Sequence, residues 1–95
     1  MTDKYIDVYF ITKKNCSKCL KAKPIVEQLE QHPNIKVTEV SGESLSREYI
    51  IKNNLTYVPA LMVFVDGEQK GIISKGFTER GIKRQISALT KVNFA

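Results

Sequence analysis

Two cysteines separated by two residues are the feature of this sequence with the clearest chemical potential. Cys16 and Cys19 form a C-x-x-C pair, and the chain contains no other cysteine. Such a pair can form a disulfide, but the loop that it closes is so short that it constrains the unfolded chain very little. The pair therefore favours reversible redox chemistry over a structural role.

The position of the pair indicates which cysteine attacks. Cys16 follows a predicted strand and opens a predicted helix, where unpaired N–H groups and the positive end of the helix dipole favour an anion. The thiolate is the attacking species, so we expect Cys16 to be the nucleophile, with its pKa lowered from about 8.5 to near 7. Cys19, one helical turn later, is then the resolving thiol that attacks a mixed disulfide formed by Cys16.

Three lysines stand close to this pair in the sequence, namely Lys13, Lys14 and Lys18. Each positive charge within a few ångström of the Cys16 sulfur should lower the pKa of that thiol further. We interpret Lys14 as a solvated surface residue, and expect Lys13 and Lys18 to act at the site as substrate-binding residues.

Two other roles for the cysteines need to be weighed. A C-x-x-C pair is half of a tetrahedral zinc site, and the other two ligands would have to be His32 or carboxylates. Because His32 precedes a proline that ends a helix, it is interpreted as a solvated residue at the helix C-terminus. A buried pair of reduced structural cysteines is the second alternative, and the strand-to-helix placement favours redox chemistry over it. No metal ligands are predicted.

The composition describes one soluble globular domain over residues 1–95, with 42% hydrophobic and 26% charged residues. The net charge of +5 favours acidic partners, but no basic helix with interleaved aromatic residues supports nucleic-acid binding. Apolar runs are far too short to span a membrane. The N-terminus lacks the pattern of a secretion signal, so a cytoplasmic location is expected.

Hydrophobic periodicity and turn signals predict four strands. They are expected at residues 5–11, 35–40 and 59–65, and at residues 71–74 beyond the Asp66-Gly67 hairpin turn. Three helices are also predicted. They are expected at residues 16–31, from a cap at Ser44 or Ser46 to about Lys52, and after a cap at Thr78.

The resulting order is β-α-β-α-β-β-α. The first β-α-β unit requires parallel strands joined by a right-handed crossover, and the hairpin adds an antiparallel pair. The expected fold is therefore α/β, with a mixed four-stranded sheet flanked by three helices.

The whole chain resembles the thioredoxin/glutaredoxin superfamily. The redox motif matches in type and placement, and Pro24 matches the proline inside the active-site helix of thioredoxins. Val58-Pro59, before an apolar strand, looks like the cis-proline of the family. Asp66-Gly67 and Gly76 also fall where thioredoxins carry a hairpin turn and a late glycine.

The resemblance implies a thiol–disulfide oxidoreductase that reduces protein disulfides through Cys16 and Cys19. It implies that Val58 and Pro59 bind the substrate chain, and that the redox-active disulfide serves in place of a bound cofactor. The implied electron donor is a thioredoxin-reductase-like enzyme or glutathione, and the implied state is a monomer.

The sequence also departs from both branches of the superfamily. Thioredoxins carry Trp-Cys-Gly-Pro-Cys, whereas this chain has no tryptophan, and Phe10 stands where thioredoxins have a buried aspartate. Asp7 would face the opposite side of its strand, so proton transfer through water or Lys18 is expected instead. Lys13 resembles a glutaredoxin lysine that binds glutathione. A glutathione-dependent reductase therefore stays open as an alternative, as does a metal or iron–sulfur binding module.

Overall fold

The computed structural model of the protein describes residues 5–94. Four strands form one mixed sheet in the order β2-β1-β3-β4. Their bounds are β1 Ile6–Thr12, β2 Ile35–Ser41, β3 Ala60–Val65 and β4 Glu68–Ile73. β1 pairs parallel with β2 and antiparallel with β3, and β4 is antiparallel to β3. This confirms the predicted fold class, with β1 in the interior of the sheet as its apolar composition requires.

In the described part of the chain, three α-helices cover the two faces of this sheet. Their bounds are α1 Ser17–Glu27, α2 Arg47–Lys52 and α3 Glu79–Thr90. Short 3-10 helices follow α1 and precede α2, at Gln28–Gln31 and Gly42–Ser44. The predicted first helix is therefore right in extent but changes to tighter 3-10 geometry for its last turn, which is common at helix ends.

The N-caps of α2 and α3 are residues that the sequence analysis offers as caps. Thr78 accepts a hydrogen bond from the Gly81 N–H at 2.9 Å, and Ser46 accepts one from the Tyr49 N–H at 3.1 Å. Ser46, and not Ser44, is thus the cap of α2. Each cap satisfies one of the N–H groups that a helix leaves unpaired at its start.

The main core lies between the sheet and the pair α1 and α3. Ile82 and Ile86 of α3 and Val26 of α1 are fully buried there, in one cluster with alternate residues of β1. Burying each such side chain stabilises the fold by about 1.5–3 kcal/mol. A smaller cluster on the opposite face, centred on Ile11, Leu55, Ala60 and Met62, lies beneath α2. The main core anchors α1 through Ala22 and Val26, in the turns that follow the cysteines.

Candidate functional site

Cys16 lies at the junction between β1 and α1. After β1 ends at Thr12, Asn15 adopts a left-handed backbone conformation with φ of 56°, which asparagine tolerates better than most residues. Cys16 is the N-cap of α1, and its Sγ accepts a hydrogen bond from the Cys19 N–H at 3.1 Å. The same N–H could donate to a Cys16 thiolate, as expected for an anion at a helix N-terminus.

The two sulfurs form a disulfide, with the Cα atoms 5.2 Å apart. Cys19 is 4% exposed, whereas Cys16 is only partly buried. A partner thiol or disulfide can therefore approach Cys16 more readily than Cys19. This difference agrees with a nucleophilic Cys16 and a resolving Cys19.

The peptide bond between Val58 and Pro59 is cis, as the resemblance implied. Pro59 is buried and Val58 half-buried, just before β3, which pairs with β1. Both residues line a groove of about 430 Å³ that also reaches Lys18 in the first turn of α1. Three of the predicted substrate-binding residues, Lys18, Val58 and Pro59, therefore share one groove.

Lys13 lies elsewhere. With Lys14 it lines a separate cavity of about 240 Å³ that also contains Cys16 and Cys19 in its wall. The loop that carries these lysines is held at its base, because the Lys14 N–H donates to Glu43 at 3.4 Å. The Ser41 hydroxyl, which donates to the same carboxylate, is the main cause that lowers the pKa of Glu43. Lys13 and Lys18 thus line different cavities near the disulfide.

The position that holds an aspartate in thioredoxins is part of the core here. Phe10 is 1% exposed and lies on the floor of the cavity beside the two cysteines. Asp7 alternates with it along β1 and so lies on the other face of the strand. Lys18 lines the groove, and the described lining of the cavity does not include it.

A carboxylate that the sequence analysis did not single out lies at the same cavity. Glu39 of β2 is the register partner of Phe10. Its side chain accepts a hydrogen bond from the Thr12 hydroxyl at 3.3 Å and pairs with Lys23 at 3.4 Å. The alternation of β2 and its parallel pairing with β1 are the signals that could have placed Glu39 on this face.

His32 has no part in the site. It follows the 3-10 helix, as predicted, but it is half-buried against Phe94, with ring centroids 5.7 Å apart, and not solvated. Its Nδ1 accepts a hydrogen bond from the Asn34 N–H at 3.2 Å. Within residues 5–94, the structure contains no group of three or more side chains suited to hold a metal ion. No helix in this part of the chain is long and apolar enough to cross a membrane.

Comparison with known proteins identifies the fold. No family model matches this sequence, and no curated protein matches it. Among solved structures, a point mutant of thioredoxin from Halobacterium salinarum superposes with a TM-score of 0.75 at 22% identity, covering 93% of this chain and 77% of that one. Fasciola hepatica thioredoxin superposes with a TM-score of 0.73 at 22% identity, over 90% of this chain and 82% of that one. The oxidised form of mitochondrial thioredoxin 3 from Saccharomyces cerevisiae superposes with a TM-score of 0.70 at 19% identity, over 88% of this chain and 78% of that one. The fold is that of the thioredoxins.

Proposed function

We propose that this chain is a thiol–disulfide oxidoreductase that reduces protein disulfides through the Cys16–Cys19 couple. The observation that carries the proposal is the disulfide itself, in which a partly buried Cys16 caps α1 and is joined to a buried Cys19 in the first turn. A thioredoxin fold around this pair supports a redox role for it. The electrons reside in the two sulfurs, so the reaction needs no bound cofactor.

The proposed reaction has two steps. The Cys16 thiolate attacks one sulfur of a substrate disulfide, so that a mixed disulfide forms and the other substrate sulfur leaves as a thiolate. Cys19 then loses its proton and attacks the Cys16 sulfur, which releases the second substrate thiolate. Two electrons pass from the cysteine pair to the substrate, and the Cys16–Cys19 disulfide results.

The direct test is the reduction of insulin disulfides by dithiothreitol with catalytic amounts of the protein. We expect the insulin chains to separate and precipitate much earlier than in the uncatalysed reaction. A rate equal to that of dithiothreitol alone would contradict the proposal. Measuring the metal content per chain in the same preparation tests the alternative of a metal or iron–sulfur module.

The electron donor is the part of the proposal with two chemical alternatives. Lys13 lines the cavity beside both cysteines, and a lysine there could bind a carboxylate of glutathione. We propose a nicotinamide-dependent reductase as the donor, with glutathione as the alternative. Each donor system is tested for reduction of the oxidised protein, monitored by the loss of its disulfide, and the faster system identifies the donor.

Lys18 is expected to tune the reduction potential. It is exposed in the first turn of α1, two residues after Cys16. A positive charge there stabilises the reduced thiolate form and raises the potential, so we expect a value above the roughly −270 mV of thioredoxin. Lys18→Glu changes the charge at this site by two units. Each exposed charge contributes a few tenths of a kcal/mol and 30 mV corresponds to about 1.4 kcal/mol, so the potential should fall by about 10–20 mV.

This shift is measured by equilibration with a dithiothreitol redox buffer and quantification of the free thiols. Lys36→Glu, which changes the net charge equally at an exposed site on β2, is the matched control and should leave the potential unchanged. Equal potentials for the wild type and Lys18→Glu would mean that Lys18 is only a surface residue.

A further inference from the structure

The groove beside the cis-proline carries a strong positive charge. Its walls include Lys18 and Lys21 from α1 and Lys75 from the segment after β4, and its described lining contains no carboxylate. The ion pairs of the described chain involve other lysines, so none of these three ammonium groups is neutralised by a neighbouring side chain within residues 5–94. Three unpaired positive charges around one groove favour an anionic partner.

The rest of the groove suits a polypeptide. Tyr57 is 80% exposed at its edge, and Phe77 and Pro59 contribute apolar surface. Exposed tyrosines contribute large contact areas at protein interfaces. A volume of about 430 Å³ accommodates several side chains of an extended segment.

We propose that this groove selects acidic protein substrates, with aspartate or glutamate residues flanking the disulfide that Cys16 attacks. The inference rests on the proposed function and names its substrate class. The net charge of +5 should speed the encounter with such partners, and the three lysines should then orient the acidic segment along the groove.

The test uses short peptides that each contain one internal disulfide and differ only in the flanking residues, which are aspartate, asparagine or lysine. The second-order rate constant for reduction by the reduced protein is measured for each. We expect the acidic peptide to react about tenfold faster than the neutral peptide and the basic peptide to react most slowly. The difference should shrink at about 0.5 M salt, where the Debye length falls to about 4 Å.

Charge-reversal variants show whether the lysines of the groove produce this selectivity for acidic peptides. Lys21→Glu and Lys75→Glu should each slow the acidic peptide about fivefold to tenfold and accelerate the basic peptide. Lys36→Glu carries the same change in net charge on β2, outside the groove, and should alter both rates by less than twofold.

A small neutral disulfide, hydroxyethyl disulfide, separates this inference from the proposed function. If the protein reduces neither it nor any peptide, the proposed function fails. If all peptides react at equal rates while hydroxyethyl disulfide is reduced, only the acidic selectivity is overturned. Stronger inhibition by a single-stranded RNA oligonucleotide than by an acidic peptide without cysteines would also overturn it, because the groove would then prefer a nucleic acid.

The cavity on the Lys13 side supports a second inference, about proton transfer. Cys19 is buried and must lose its proton before it attacks Cys16, so a proton acceptor has to reach it. Glu39 contributes a carboxylate to the same cavity, and the described lining contains no other. About 240 Å³ is enough for several water molecules, since each occupies roughly 30 Å³.

We infer that Glu39 accepts the proton of Cys19 through water in this cavity. When the Cys19 sulfur attacks Cys16, the bond from Cys16 to the substrate sulfur breaks and its electron pair leaves with the substrate thiolate. The Cys19 proton passes to the Glu39 carboxylate, which is later deprotonated by solvent. Lys23 and Thr12 orient Glu39 for this step, at 3.4 and 3.3 Å from its oxygens.

The test separates the two steps with an aromatic disulfide whose thiolate product absorbs visible light. Attack by Cys16 releases the first thiolate, and resolution by Cys19 releases the second. Glu39→Gln should leave the first release unchanged and slow the second about tenfold at pH 7, with a rate that rises in proportion to hydroxide. Glu27→Gln, an exposed acid-to-amide change at the end of α1, is the control and should change neither release.

A Glu39→Gln protein with the wild-type rate and pH profile of the second release would overturn this inference. A Glu39→Gln protein that loses the first release as well would also overturn it, whereas a wild-type protein that releases no first thiolate would contradict the proposed function. A purely structural effect of Glu39 would not change the dependence of the second release on pH.

Discussion

Cys16→Ser is expected to abolish insulin reduction, whereas Cys19→Ser is expected to stop turnover after a single chemical step. The reason is the difference in position between the two sulfurs. Cys16 caps α1 and is partly buried, and Cys19 is 4% exposed behind it. Without Cys16 no mixed disulfide forms. Without Cys19 the mixed disulfide forms but has no internal thiol to resolve it.

Mass spectrometry after incubation with a disulfide-containing peptide checks both halves of this prediction. The Cys19→Ser protein should carry one peptide attached through Cys16, and the Cys16→Ser protein should carry almost none. Alkylation of the reduced wild type at pH 6–7 should modify Cys16 well before Cys19, because a thiolate at a helix N-terminus is favoured by the dipole. Faster alkylation of Cys19 would reverse the two roles and contradict the dipole argument.

Phe10→Asp is expected to be strongly destabilising, although thioredoxins carry an aspartate at this position. Phe10 is 1% exposed and packs in the main core beneath α1 and α3. Loss of a buried phenylalanine ring costs about 3–5 kcal/mol, out of a total of about 5–15 kcal/mol for a domain. For a chain of this size, the melting temperature should fall by more than about 10 °C.

The loss of stability should also depend on pH. Burial raises the pKa of the introduced carboxyl above its unfolded value of about 3.9. Below that pH the carboxyl is neutral in both the folded and the unfolded state, so the loss in the free energy of unfolding relative to the wild type is smallest there. As the pH rises towards the folded pKa, the introduced carboxyl ionises more readily in the unfolded state than in the folded state, and the loss of stability grows.

Urea denaturation of the variant and the wild type at pH 4 and pH 8 measures this effect. Phe10→Leu, which keeps the site apolar, is the control and should show a smaller deficit that is equal at the two pH values. An equal deficit for Phe10→Asp at pH 4 and pH 8 would mean that the cavity beside the cysteines hydrates the carboxylate fully.

Much of the fold follows from patterns that are local in the sequence. The alternation or continuity of apolar residues predicts each strand, and Ser46 and Thr78 cap their helices with their own side chains. Asp66 and Gly67 adopt the positive φ angles of 50° and 85° that a tight hairpin turn requires. The position of Cys16 at a helix start is likewise encoded by the strand before it and the helix after it. These features depend on neighbours in the chain, so a single sequence is enough to predict them.

The surroundings of the disulfide depend on residues that are distant in the chain. Glu39 reaches the cavity beside Cys19 because β2 pairs with β1 in a register that sets it beside Phe10. Lys75 and Tyr57 meet Lys18 at one groove because the β3–β4 pairing and the turn before β3 bring them to the same end of the sheet as α1. Lys13 and Lys18, only five positions apart, line different cavities because α1 begins between them. Strand register and the packing of α1 on the sheet determine these contacts, and both arise from the burial of the core as a whole.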